Sequence, residues 1–314
     1  MNQQKNAYIA ALSYAFIIGF SFMFVKLTLH VAKPIDILAH RFTVSFLVAN
    51  LLVLFRFVKL NISFENIIAI LPLSLLYPAL FFSFQAFGLV YTSSSEAGII
   101  QAVIPIFTML LASYFLKERT NMWQKLSLLL SVTGVVYIFI MKGIGNVETS
   151  FIGIFLILLS AFSSSSYNVL ARKMMKKFNV FDLTYMMTFI GFLSFNTIAV
   201  VNHIQSDTVR VYFEPFANAT FLMAILYLGI LSSFLTAFLS NYALRHMAAS
   251  KMSVFSNLST LITIIAGVVF LQEEIAYYHI IGAIMIILGV IGTNILDEKG
   301  ISVMTKKPYM VNKK

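Results

Sequence analysis

Residues 115–136 read FLKERTNMWQKLSLLLSVTGVV. An apolar run stops at Lys117-Glu118-Arg119, and a second begins almost at once and reaches Gly134. Residues 270–291, FLQEEIAYYHIIGAIMIILGVI, repeat the plan. Both stretches carry Phe-Leu-x-Glu, and in both a glycine follows the glutamate by 16 residues, 118 to 134 and 273 to 289. Two long apolar runs split by a short charged break suit a pair of membrane helices joined by a tight turn. Finding the plan twice suggests an internal repeat.

The composition points the same way. The 314 residues are 60% hydrophobic and 11% charged, with a mean hydropathy of +0.89. A soluble globular chain is about 45–50% apolar and about 25% charged. So much apolar surface exceeds what one soluble core hides, whereas lipid covers it. There is no cysteine, so disulfide and thiol chemistry are excluded. The histidines His30, His40, His203, His246 and His279 show no metal-ligand spacing, and no cofactor is called for.

Ten segments are long enough to span as helices: roughly 7–29, 36–56, 67–90, 97–116, 122–141, 150–171, 183–204, 217–242, 252–271 and 277–296. Barrel strands alternate and are about half as long. With a cytoplasmic N-terminus, the inner breaks and termini hold Lys5, Arg56, Lys59, Lys117, Arg119, Lys125, Arg172, Lys173, Lys176, Lys177, Arg245, Lys251 and the five lysines after residue 298. Lys26, Lys33, Arg41, Lys142 and Arg210 fall on or near the outer side. The positive-inside rule then sets both termini in the cytoplasm. It also accounts for the net charge of +10 by anionic lipid, with no nucleic-acid partner. The first run is too long for a signal-peptide core and lacks a small-residue cleavage site, so it is expected to be retained.

The expected fold is an all-α polytopic membrane protein of ten transmembrane helices. They form two repeats of five, residues 1–146 and 147–296, followed by a basic cytoplasmic tail, 297–314. An offset of 155 superposes Thr108 on Thr263, Phe115 on Phe270, Glu118 on Glu273 and Gly134 on Gly289. An offset of 146 superposes Asp36 on Asp182 and Asn50 on Asn196. The nine-residue difference falls in the longer loop around 205–215. Five is odd, so the second repeat enters the membrane inverted, an architecture of secondary transporters.

Several short motifs carry a resemblance. Gly19-x6-Lys26, Pro34 and Arg41-Phe42 resemble the opening of EamA-type permeases of the drug/metabolite transporter superfamily. Pro105, Leu116-x-Glu118 and Gly134 resemble the end of its first half. Tyr167-x-Val169-Leu170-Ala171-Arg172 and Tyr242-Ala243-Leu244-Arg245 resemble its second. The resemblance covers about residues 7–296. This chain has Ile18 and Ser164 where members often have Trp, and Thr260 where they often have Pro. The resemblance implies ten helices and movement of small metabolites, such as amino acids or their derivatives, often outward.

Polar groups inside hydrocarbon are costly and are functional candidates by default. Ser163-Ser164-Ser165-Ser166-Tyr167-Asn168 lies just past mid-span in the sixth segment; its serines also suit packing with hydroxyls bonded to carbonyls one turn back. Tyr167 and Asn168 are candidate substrate contacts. So are Gln85 and Gln101, whose repeat mates Ser240 and Ser256 adjoin Asn241 and Asn257; Asn241 completes this set. Tyr77-Pro78 and Pro105 interrupt their helices and suit a kink or a cavity wall. Arg41 and Lys26 either snorkel to headgroups or, for Arg41, clamp a substrate carboxylate or gate with Asp36 or Glu96. Of the aromatics from Tyr77 to Phe107, most are expected to face lipid.

The expected function is a secondary transporter moving a small-molecule substrate across the plasma membrane by alternating access. A channel remains the alternative, as does a membrane-embedded enzyme, for which no catalytic constellation is visible. Glu118 and Glu273 are expected to accept bonds from the N–H groups of the helix that follows each, locking the fifth to the fourth and the tenth to the ninth. Their rival role is proton coupling.

Overall fold

The computed structural model describes residues 2–61, 64–118, 120–142, 151–271 and 277–296. The described residues are helical throughout apart from turns. The first three helices are α1 Asn2–Leu29, α2 Pro34–Leu54 and α3 Phe64–Ser74. A widened turn, Leu75–Leu80, leads to α4 Phe81–Tyr91. Then come α5 Ser94–Gln101, α6 Ile104–Phe115, α7 Met122–Lys142, α8 Phe151–Met174 and α9 Val180–Gln205. A 3₁₀ stretch, Val209–Ala217, precedes α10 Ala219–Leu226, a second widened turn Tyr227–Leu235, and α11 Thr236–His246. The last helices are α12 Ala249–Leu271 and α13 Tyr277–Ile295.

Among the described residues, eight continuous helical segments are long and apolar enough to cross a membrane. Two of them, Asn66–Tyr91 and Ala219–His246, run through the widened turns, and Ser94–Phe115 joins α5 to α6. The outward faces carry bare apolar side chains, with Leu54, Tyr114 and Phe151 each more than 70% exposed. In water such a surface would aggregate, whereas acyl chains satisfy it.

The breaks follow from the sequence. Pro78 lacks an N–H and restricts the residue before it. Tyr77 accordingly takes an extended conformation (φ −143°, ψ 114°) between helical neighbours. Pro105 interrupts the span Ser94–Phe115 as expected: α5 ends at Gln101 and α6 begins at Ile104, so Pro105 sits in the first turn of α6, where its missing N–H costs nothing. The second widened turn has no proline; its run Gly229-x-x-Ser232-Ser233 lies against α2.

The sequence halves are interleaved. The α7 helix packs on α13, α1 on α11 and α12, α2 on α9 and the second widened turn, and α4 on α8. Small residues set the closest approach. A Cβ on Gly134 would lie 2.8 Å from Gly282 O and from Met285 Cβ. A Cβ on Gly289 would lie 2.5 Å from Ser131 Cβ and 2.6 Å from Ser127 O. Backbones that close gain dispersion contacts, which drive helix association in lipid.

The role expected of Glu118 is corrected. Its carboxylate accepts from Ala249 N (3.0 Å), Ser250 N (3.2 Å) and Ser250 Oγ (2.8 Å), at the start of α12. It does not cap α7, because that helix supplies its own cap. Gln124 N donates to Asn121 Oδ1 (2.8 Å), and Asn121 N donates to Gln124 Oε1 (3.2 Å). Glu118 therefore ties the first half to the second. Arg172 holds the other side of the same turn, donating from Nη1 to Leu244 O (2.6 Å) and Arg245 O (2.8 Å). Glu273 and the tail from 297 lie outside the described residues.

Candidate functional site

The break at Tyr77 turns an aromatic layer into the bundle. The Tyr77 ring lies 4.8 Å from Tyr167, 4.9 Å from Phe82 and 5.0 Å from Phe81, centroid to centroid. All four rings are buried. Phe87 and Tyr91, further along α4, are exposed, so the aromatics divide into a buried set and a lipid-facing set.

Three polar groups border this layer. In the first, the Tyr167 hydroxyl donates to Asn241 Oδ1 (2.5 Å), and Asn241 Nδ2 donates to Thr184 Oγ1 (3.1 Å). This joins α8, α11 and α9. In the second, Gln101 Nε2 donates to Ser160 Oγ (3.2 Å), which donates to Phe81 O (3.0 Å). A void of about 10 Å³ lies beside Gln101, lined also by Tyr14, Phe81, Ser256, Ser259 and Thr260. That is about the room for one water, so this part of the bundle is closed. Gln101 and its repeat mate Ser256 face the same void.

The third group is Arg41, and here the snorkelling expectation fails. Arg41 lies seven residues into α2, about 10 Å along the axis, and is 1% exposed. Its Nε donates to Ser233 Oγ (2.6 Å), and Nη2 donates to Ser232 Oγ (2.9 Å) and Ser232 O (3.2 Å). Its guanidinium carbon lies 4.0 Å from the centroid of Phe82. Among the described residues no ion pair joins it to Asp36 or Glu96, so the expected gate is absent in this conformation. Asp36 pairs with His203 instead, and Glu96 accepts from Ser93 N in a capping box at the start of α5.

Gln85 and Asn168 are buried, yet no hydrogen bond among the described residues ties either to these groups. In the serine run, Ser165 Oγ donates to Ala161 O (2.8 Å) and Ile104 O (3.1 Å), a packing role. Lys26 is half-buried and lines a cleft of about 530 Å³ with His30 and Lys33, at the turn between α1 and α2.

Sequence reasoning missed one cluster. His203 Nε2 lies 3.1 Å from Asp36 Oδ1, and its Nδ1 lies 2.8 Å from Thr208 Oγ1. The adjoining 3₁₀ stretch folds inward and buries Tyr212 beside His40 and His203. Burial, with Asp36 adding its negative charge, pushes the Tyr212 phenol up to about 12. It stays a neutral donor, reaching Asn196 Oδ1 (3.3 Å). The residues come from 36, 40 and 203–212, a separation that no local spacing reveals.

Residues 5–140 and 151–295 each match the EamA-like transporter family. The chain belongs to that family. It is 56% identical over 313 residues to the uncharacterized transporter YcxC of Bacillus subtilis (strain 168), covering 100% of this chain and 99% of that one. An uncharacterized transporter of Archaeoglobus fulgidus is 24% identical over 273 residues, covering 87% of this chain and 92% of the relative. The uncharacterized transporter YyaM of Bacillus subtilis is 27% identical over 293 residues, covering 91% and 92%. A solved crystal structure shares the fold, with a TM-score of 0.73 at 16% identity over 94% of this chain and 99% of that one. The family unit is present twice, and the chain is a multi-pass membrane transporter.

Proposed function

We propose that this family member is a secondary transporter of ten spans, α7 and α13 included, in two inverted repeats. It moves a small metabolite, such as an amino acid or a related compound, across the plasma membrane by alternating access. Both termini are cytoplasmic. The observation that carries the reading is reciprocal contact between repeat mates. At an offset of 155, Ser127, Ser131 and Gly134 correspond to Gly282, Ile286 and Gly289. Gly134 lies on Gly282 and Ile286, and Gly289 lies on Ser127 and Ser131. At an offset of 146, Ala39 and Asn50 correspond to Tyr185 and Asn196. Tyr185 donates to Asn50, and Asn196 donates to Ala39 O. Pairing in which i meets j and j meets i is what a two-fold relation produces. In a secondary transporter such an axis places the substrate between the repeats.

The substrate contacts are Arg41, Gln101, Tyr167 and Asn241, which border the aromatic layer, together with the buried Gln85 and Asn168. Because the halves interleave, the moving bodies each draw helices from both. The test is counterflow: proteoliposomes preloaded with unlabelled metabolite should transiently concentrate the labelled form. Passive equilibration without overshoot would make the protein a channel. A proton is the first coupling ion to test, by imposing a pH difference.

A further inference from the structure

Arg41 is a cation enclosed by neutral partners. Burying a charge away from water is costly unless an opposite charge meets it. Its hydrogen-bond partners are Ser232 and Ser233, and its ring contact is Phe82. Among the described residues no carboxylate forms an ion pair with it. The acid nearest in sequence, Asp36, is taken by His203.

The two serines engage Nε and Nη2 of the guanidinium and leave Nη1 over, which makes no hydrogen bond with a described residue. The edge formed by Nη1 and Nη2 is one that a carboxylate grips with two parallel bonds. The Tyr77 hydroxyl, buried near Thr236, likewise completes no hydrogen bond. A further donor is thus held ready beside an apolar wall of Phe81 and Phe82. The cleft lined by Lys26, His30 and Lys33, at the end of the bundle where α1 gives way to α2, adds positive charge where an anion would arrive or leave.

We propose that Arg41 is the anion-binding group of the transport site, and that the substrate is a carboxylate with an apolar or aromatic body. This rests on the transporter reading above and narrows its substrate class. In the closed state the serines hold the guanidinium; when the site opens, the carboxylate takes Nη1 together with an Nη2 hydrogen released by Ser232, and neutralises the charge that the protein leaves unpaired.

The test uses the purified full chain and a panel of monocarboxylates of three to nine carbons (amino acids, 2-keto acids and aryl carboxylates), each beside its primary amide. Binding is read by thermal shift and transport by counterflow. One or more carboxylates should bind and their amides should bind at least tenfold more weakly. Arg41→Lys keeps the charge but loses the fork, and should weaken carboxylate binding at least tenfold. Arg41→Gln should remove the preference for acid over amide. The proposal is overturned if the wild type binds no carboxylate in the panel. It is also overturned if either variant, folded by thermal unfolding, keeps wild-type carboxylate affinity. Should Arg41→Gln fail to fold, the Arg41→Lys comparison decides alone. Carboxylate binding without counterflow would remove the transporter reading and leave the anion site standing.

Discussion

Replacing Glu118 should loosen the start of α12 and leave the start of α7 untouched. The carboxylate makes three hydrogen bonds to Ala249 and Ser250, and it is half-buried. A helix cap is worth about 0.5–2 kcal/mol, and a negative charge at a helix N-terminus adds about 0.3–1 kcal/mol. Partial exposure trims the charge contribution. Glu118→Ala should therefore cost about 2 kcal/mol, and Glu118→Gln, which keeps one acceptor, about 1 kcal/mol. Reversible SDS unfolding in mixed micelles measures the loss. Hydrogen exchange locates it: 2 kcal/mol corresponds to roughly 30-fold more frequent opening, seen at the Ala249 and Ser250 amides. The amides of Gln124 and Lys125, served by the Asn121 cap, should keep their protection. Faster exchange at 124–125 with none at 249–250 would refute the cross-half cap. A normally stable Glu118→Gln protein that has lost only gradient-driven movement would refute the structural role and install proton coupling in its place.

Gly289→Val should destabilise by about 1–3 kcal/mol, because its side chain meets Ser131 and the Ser127 carbonyl and cannot swing clear; SDS unfolding again reads it. Asn241→Leu leaves the buried Tyr167 hydroxyl only the weak sulfur acceptor of Met187 and should cost about 1–3 kcal/mol, whereas the double variant with Tyr167→Phe should recover much of it in the same assay. Single cysteines at Gln101, Tyr167 and Asn241, in a chain without native cysteine, should react with a small thiol reagent during turnover and be protected by substrate. Reporters fused after Arg56, Lys125, Lys177 and Lys251 should be cytoplasmic, and those near Lys33, Asn146 and Gln205 external. An external signal at Lys177 would end the inverted repeat.

Much of the fold was legible because lipid imposes a coarse code. A span must be apolar for its whole length, so helices α1, α2, α8 and α9 stand out in the sequence. The repeated glycines were legible as well, since close helix contact needs a small residue at a fixed distance from the turn. The partner of Glu118 was not. Its range to Ala249 is 131 residues, and nearby Asn121 already satisfies the helix that sequence proximity suggested. Arg41 was left between two readings for a similar reason: a base near a span end either snorkels or turns inward, and only the Ser232-Ser233 turn, 191 and 192 residues on, shows that it points inward. Tyr167 and Asn241 were visible as polar residues in apolar runs, but their mutual bond depends on how α8 and α11 meet. The widened turn at Tyr227–Leu235 has no proline to announce it.

The separation between Arg41 and Ser233 has a consequence for synthesis. Elongation adds about 5–20 residues per second, so the partner of Nε, 192 residues later, emerges roughly 10–40 s after the arginine does. During that interval the guanidinium has neither Ser232 nor Ser233 to hold it. The first spans therefore stand without this partner until the segment Ala219–His246 arrives. A ribosome stalled before codon 232 should leave Arg41 without either serine to hold it.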